Sequence, residues 1–308
     1  MKKGPGLRVG VIGVGTMGRH HARILSASIP GVKLSGVADF NEPVARETGE
    51  LYGIPSFTNY KDLFPLVDAL ILATPTASHF EIGKDCLENR KPLLVEKPLA
   101  KTSPEAELLI KIAKEHGLVL AVGHIERFNP AFQELAKIIR KEKIIGIDIK
   151  RLSPFPERIA DANVIQDMMI HDLDLLRTLL PLDQIDEIKA SGEIKISAAL
   201  DRVLVNIYYK SGIIASLEAS RIFGSKSRKL AVTTESGLYE ADLLEKRIYF
   251  RNFQHALPSV HKFKIFDQLT AELKDFFLAI KKSRPPLVDG EAGYQAIKLG
   301  EEIEKLCS

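Results

Sequence analysis

The fold is constrained most by the opening stretch. An apolar run, Leu7–Ile12, meets Gly13-Val14-Gly15-Thr16-Met17-Gly18 and passes directly into an amphipathic segment over residues 19–26. A Gly-x-Gly-x-x-Gly loop is common by chance, and it gains meaning when it follows a strand and opens a helix. Gly13 permits the tight turn, Gly15 admits a pyrophosphate to the backbone, and Gly18 lets the helix pack close to the strand. The unpaired N–H groups of the helix start, at Thr16 and Met17, then face the phosphates. A second apolar run, Val32–Ala38, ends in Asp39, about twenty residues beyond the loop, where a carboxylate accepts from the adenosine ribose hydroxyls. The same charge repels a 2′-phosphate, so NAD is expected rather than NADP, and Arg46 is the nearby cation that would reverse this. A glycine-rich turn with no ligand is the competing reading, and the strand, helix and Asp39 together weigh against it.

The pattern then repeats. A short strand at residues 55–57 precedes a helix around Asp62. A buried strand at 69–73 runs into Thr74-Pro75-Thr76-Ala77-Ser78-His79, and a strand at 93–95 ends in Glu96-Lys97-Pro98. A helix at 104–116 and a strand at 119–122 follow. Alternating units of this kind build a doubly wound parallel sheet, an α/β fold. Leu93-Leu94-Val95 shows no alternation, as suits a strand covered on both faces, and Pro98 stops it. Glu96 and Lys97 are thereby delivered to the cleft beyond the carboxyl ends of the strands, although alone they would read as a surface ion pair. Ala73, Thr74 and Pro75 leave the sheet on the side of the glycine loop, beside the cofactor. His79 begins the next helix, as a cofactor contact or as a cap.

At 308 residues the chain has room for two domains, expected at 1–122 and 123–308. A net charge of +3 is too small to argue for nucleic acid or a membrane surface. Cys86 and Cys307 have no metal or redox spacing and read as reduced thiols of a cytoplasmic protein, and no metal site is expected. No run is as long as a membrane span, and the first five residues lead into a strand rather than a signal segment.

In the second half, Ile144–Leu152 alternates like a half-buried strand, and residues 153–156 break it. Residues 164–180 are helical by pattern. Asp167 and His171, four apart, share one face of that helix, where a carboxylate orients an imidazole and stabilises its charged form. Asp172 and Asp174 fall on other faces and read as capping or solvated. Segments 203–209, 213–220, 229–234, 238–242 and 247–250 alternate and are joined by short loops such as Ser211-Gly212, which argues for antiparallel pairing. Such a sheet needs a cover on its open face, and a partner subunit is one way to supply it. Residues 225–229 form a small basic loop, either a solvated turn or a contact for a substrate phosphate. Helices at 267–281 and 290–305 close the chain.

Taken in order, the glycine loop, Ala73-Thr74-Pro75 with His79, Glu96-Lys97-Pro98 and Asp167-x-x-x-His171 resemble the Gfo/Idh/MocA oxidoreductase family. The likeness extends over nearly the whole chain. It implies an N-terminal Rossmann domain and a C-terminal α+β domain whose open, mainly antiparallel sheet joins subunits into a homodimer or homotetramer. The last helix is then expected near the Rossmann domain. It further implies that Glu96 contacts the nicotinamide ribose, that Lys97, Asp167 and His171 surround the reacting carbinol, and that the Lys97–Pro98 bond is often cis. His124-Ile125-Glu126-Arg127-Phe128-Asn129-Pro130 matches the family's entry to the next helix. There Arg127 either clamps substrate or serves as a buried arginine paired with Glu126 or another carboxylate.

The reaction so implied is NAD-dependent oxidation of a secondary alcohol of a sugar. A proton acceptor working near neutral pH must be a histidine or a lysine of lowered pKa. His171 is expected to take the proton, Lys97 to hold the substrate oxygen and Asp167 to orient them, an order that residue types alone do not fix. The segment at 123–130 and the compact length look most like the nucleotide-sugar 3-dehydrogenase branch, with substrates such as UDP-N-acetylglucosamine. Arg127, Arg158 and residues 226–229 are then the cations for its diphosphate. An inositol or free-sugar dehydrogenase is the alternative within the class. Outside it stand a dinucleotide-responsive regulator, which needs no proton-handling residues, and an NAD-assisted glycoside hydrolase.

Overall fold

The structure, a computed structural model, describes residues 6–27, 29–155, 162–254 and 257–307. The apolar runs of the first half become β1 (Leu7–Ile12), β2 (Val32–Ala38), β3 (Ser56–Phe57), β4 (Ala69–Leu72), β5 (Leu93–Glu96) and β6 (Leu120–Gly123). Between them lie α1 (Thr16–Ala27), α2 (Glu42–Tyr52), α3 (His79–Glu88) and α4 (Ser103–Glu115). The sheet order is β3-β2-β1-β4-β5-β6, and every pairing is parallel. The order reverses between β1 and β4, so the carboxyl ends of those strands flank the crevice in which such sheets bind ligands. Leu70, Ile71, Leu93, Leu94 and Val95 are fully buried. Helices cover both faces, which is why these strands read as unbroken apolar runs.

Local chemistry sets the helix ends. Asn41 caps α2 by accepting from the Val44 N–H, and Gly53 ends it at φ +62°. Thr102 and Glu105 close a capping box on α4. The helix expected around Asp62 is a 3₁₀ segment, Tyr60–Leu66, with Pro65 inside it, a residue that cannot donate to a longer ladder.

The second half supplies α5 (Pro130–Ile139), β7 (Ile144–Leu152) and a π-helical turn (Ile165–Met169) that runs into α6 (Ile170–Leu179). Then come β8 (Ile185–Glu193), β9 (Arg202–Tyr209), β10 (Ile214–Ser220), β11 (Ser227–Thr234), β12 (Gly237–Asp242), β13 (Arg247–Asn252) and β14 (Ser259–His261). Helices α7 (Gln268–Lys282) and α8 (Gly290–Leu306) end the chain. The second sheet runs β14-β13-β12-β11-β7-β10-β9-β8. It is antiparallel except where β7 lies parallel to β10. Its inner face, with Ile147, Ile149, Val205, Ile207 and Leu230, packs with Phe132 and Leu135 of α5 and Leu173 and Leu176 of α6.

Two strands escape the sequence pattern. β8 lies at the sheet edge and has no fully buried position, and β14 is three residues long and half exposed, so neither needs strong alternation. The basic loop is also shorter than expected. β11 begins at Ser227, so Arg228 and Lys229 sit on a strand paired with Arg151 and Lys150 of β7.

The described residues group into two compact units. One runs to His124 and includes Leu269–Gln295; the other comprises Ile125–Gln268 and the segment from Ala296. Among the described residues no helix is long and apolar enough to cross a membrane.

Candidate active site

The first unit gathers its site at the carboxyl ends of five neighbouring strands. Gly13 ends β1 at φ +81°, and a Cβ there would lie 2.7 Å from the Ala73 carbonyl oxygen and the Thr74 nitrogen. The glycine loop and the loop after β4 are therefore in contact, and only glycine fits between them. At Gly18 a Cβ would lie 1.8 Å from the Gly13 carbonyl oxygen, which is how closely α1 approaches the loop. Gly15 is different: it is exposed, and a Cβ would meet nothing within 4 Å. No internal contact requires glycine there, so the open cradle at the start of α1 suits an outside group, such as a diphosphate, that must come close to the backbone. Thr16 and Met17 begin the helix beside it.

Asp39, just past β2, turns its carboxylate onto this loop. One oxygen accepts from the Val14 N–H at 2.8 Å and the other from the Asn41 N–H at 2.9 Å. Two backbone donors fix its direction at the edge where the adenosine ribose of a dinucleotide belongs. The loop donors, the cradle and the placed carboxylate together fit an NAD molecule.

His79 opens α3 and is 1% exposed, with one ring nitrogen 2.8 Å from the Pro98 carbonyl oxygen and the other 2.8 Å from that of Thr74. Burial pushes its pKa down, while the two carbonyls and Glu96 pull the other way. The ring thus ties the Thr74-Pro75 loop to the Glu96-Lys97-Pro98 turn. The Lys97–Pro98 bond is cis.

Glu96 ends β5 almost buried, and its Oε1 accepts from His21 Nε2 of α1 at 2.7 Å. Burial pushes its carboxyl up, but the His21 hydrogen bond and the charges of His21 and Lys97 outweigh that and hold it below the usual range. Its Oε2 lies where a Cβ on Gly123 would be 2.8 Å away, so the end of β6 is a glycine to make room for it. His21 was not legible as a site residue, since it reads as an ordinary inward position of an amphipathic helix. Lys97 follows, partly exposed.

Asp167, His171 and Arg127 belong to the second unit. Asp167 lies in the π-helical turn and His171 is the second residue of α6. The expected uniform helix is wound more widely where Asp167 sits, a local distortion often found at functional sites. Asn163 holds the turn by accepting from the Ile165 and Gln166 N–H groups and donating to Glu304. Along residues 170–176 every position is buried except His171, which is half-buried with its Nδ1 shielded from solvent.

Asp172 and Asp174 are neither caps nor solvated; they are 2% and 1% exposed. Asp172 takes three hydrogen bonds from Arg151, whose Nη1 also donates to Glu126. Asp174 takes a two-pronged pair from Arg127 at 2.7 Å on each side. The carboxylate partner of Arg127 is therefore Asp174 rather than Glu126. Glu126 is instead shared by Arg151 and Arg228. A helix carrying two carboxylates inward is unreadable from periodicity, because the arginines that neutralise them arrive from other elements. Lys226 and Lys229 are exposed, and Arg158 lies outside the described residues.

Comparison with known proteins adds to this geometry. Residues 7–124 match the model of an oxidoreductase family's NAD-binding Rossmann fold, and residues 162–305 match that family's C-terminal alpha/beta domain. The chain is 33% identical to a UDP-N-acetylglucosamine 3-dehydrogenase of Acidithiobacillus ferrooxidans, over 96% of each protein. A solved structure under that enzyme name, from the same organism, superposes with a TM-score of 0.91 at 31% identity, covering 98% of this chain and 97% of the other. A myo-inositol 2-dehydrogenase of Thermotoga maritima is 26% identical over 97% of this chain and 96% of its own.

Proposed function

The chain belongs to the Gfo/Idh/MocA oxidoreductase family and is an NAD-dependent dehydrogenase acting on a CH–OH group of a sugar or polyol. From that premise we propose that its substrate is a nucleotide sugar oxidised at C3, such as UDP-N-acetylglucosamine. The observation that carries this is likeness over both units to an enzyme of that activity.

The Gly13–Gly18 loop and Asp39 hold the dinucleotide, with Ala73, Thr74 and Pro75 along its path, Glu96 at the nicotinamide ribose, and the buried His79 fixing the Thr74-Pro75 loop through its two carbonyl contacts rather than touching the cofactor. Bound NAD supplies a hydride acceptor. His171 takes the hydroxyl proton, since an imidazole is half ionised near neutral pH and can accept without prior activation. Lys97 holds the substrate oxygen as charge develops there, and Asp167 orients the ring and stabilises its charged form. Arg127 stays with Asp174 and braces α6 beneath His171. Among the described residues, Lys226 and Lys229 are the exposed cations of the expected set that remain for a diphosphate. We also propose a homodimer or homotetramer formed through the eight-stranded sheet, on which Leu204 and Ile214 stand exposed; light scattering of the purified protein tests it.

A free polyol is the second reading, favoured by the whole-length likeness to an inositol dehydrogenase and by the commitment of Arg127 and Arg228 to carboxylates. NADH absorbance on mixing the protein and NAD with UDP-N-acetylglucosamine, then with myo-inositol and free sugars, decides. A signal with the nucleotide sugar alone is expected, and a signal with a polyol alone overturns the proposed substrate. Silence on all, with NAD bound, returns the regulator and the hydrolase.

A further inference from the structure

α7 carries Glu272 into the interior of the first unit, beside α1 and the end of β5. One ligand atom each of His21, Glu96 and Glu272 lies within 4.8 Å of the other two. Glu272 is 2% exposed, and neither oxygen meets a hydrogen-bond donor among the described residues. A bare buried carboxylate next to a second carboxylate is strongly disfavoured, and a cation or a proton must relieve it. A cation fits poorly. His21 Nε2 and Glu96 Oε1 are 2.7 Å apart, a hydrogen-bond separation, whereas two ligands of one tetrahedral zinc ion sit roughly 3.3 Å apart. The proton remains.

We propose that Glu272 is a neutral carboxylic acid that donates its proton to Glu96, making it the positioning residue of the Glu-Lys-Pro carboxylate. Glu96 is then held by His21 on one side and Glu272 on another, with Gly123 behind it. The two carboxyl groups then carry one negative charge between them instead of two. The groups that face Glu272 and Glu96 are His21 from α1, Lys97 after β5, His79 from α3 and Asp275 on α7. Burial opposes ionisation of Glu272 most, followed by Glu96 and then Asp275. The bearing on cofactor binding rests on the proposed role of Glu96, while the protonation itself does not.

The test uses the full chain with Glu272→Gln, whose amide can still donate to Glu96, and Glu272→Ala, which cannot. An acid whose folded pKa is raised costs stability progressively as pH climbs above the ordinary carboxyl value of about 4.3. Glu272→Gln has no such proton to lose. It is expected to melt with wild type near pH 4 and above it at pH 8. A protonated-carboxyl infrared band is expected in the apo wild type at pH 7 and not in Glu272→Gln. The NAD Kd is expected to stay within about threefold in Glu272→Gln and to rise about tenfold or more in Glu272→Ala, the loss of one hydrogen bond to a charged group. No such band at pH 7, a band that survives Glu272→Gln, or a stoichiometric metal that Glu272→Gln loses would overturn the proton. A band that vanishes as expected, with NAD binding unchanged in Glu272→Ala, would overturn the positioning role alone.

Discussion

Alanine at each of the three loop glycines separates what the fold needs from what the cofactor needs. At Gly18 the new Cβ would sit 1.8 Å from the Gly13 carbonyl oxygen. Reaching ordinary contact requires the loop and α1 to part by well over an ångström. Overpacking of this kind costs about 3 kcal/mol or more, against a helix-propensity gain of at most about 1 kcal/mol. In a unit of this size that lowers Tm by about 4–12 °C. Gly13→Ala adds a strained φ of +81° to a 2.7 Å clash with the Ala73 carbonyl, and should be at least as damaging.

Gly15→Ala meets nothing within 4 Å and should leave the apo protein within about 0.5 kcal/mol of wild type. It nonetheless fills the cradle a diphosphate would approach. Pushing that group back by a methyl forfeits one or two charged hydrogen bonds, about 1.5–3 kcal/mol each, so the NAD Kd should rise at least tenfold. Thermal melts with and without NAD read both effects together, since saturating ligand adds about 2.7 kcal/mol at a hundredfold excess over Kd. Wild type should show the ligand shift, Gly15→Ala should melt normally and largely lose it, and Gly18→Ala should melt low without ligand. A Gly15→Ala protein that binds NAD as tightly as wild type, or that is itself strongly destabilised, would refute the reasoning.

Lys97→Ala and His171→Ala should each abolish turnover while calorimetry still finds NAD bound; loss of NAD binding in both would contradict the division between cofactor and proton-handling residues. Arg151→Met strands Asp172 in the interior and should cost about 3–5 kcal/mol in denaturant unfolding. Adding Asp172→Leu should recover much of that, and simple additivity would count against the pair. At Glu126 burial pushes the carboxyl up, but Arg151 and Arg228 prevail and hold it below its ordinary value. A depressed folded pKa gives stability that is present above the unfolded value of about 4.3 and is lost as pH falls through the folded one. Glu126→Gln should therefore trail wild type at pH 7, with the gap narrowing toward pH 3; a gap independent of pH would show that the charge contributes nothing.

Sequence alone determined the first sheet, the glycine loop, Asp39 and the Glu96-Lys97-Pro98 turn, because each is a local device: a few consecutive residues whose backbone geometry and period carry the meaning. It also determined most strands of the second sheet, whose alternation is a local record of one buried face. Edge strand β8 kept only a weak record, with Ile185, Ile188 and Ala190 half-buried on the core, and short β14 kept none, since an edge buries too little to demand one. Tertiary structure decided what depends on partners distant in the chain. Asp172 and Asp174 are buried because Arg151 arrives from β7 and Arg127 from the segment before α5. Arg228 stands on a strand because its backbone pairs in register with Arg151 of β7, and its guanidinium then reaches Glu126. Glu272 reads on its own helix as one polar residue among several. It becomes a buried neighbour of Glu96 only when α7 packs into the first unit, and a carboxyl's protonation is set by the charges and water around it, which no stretch of neighbouring residues records.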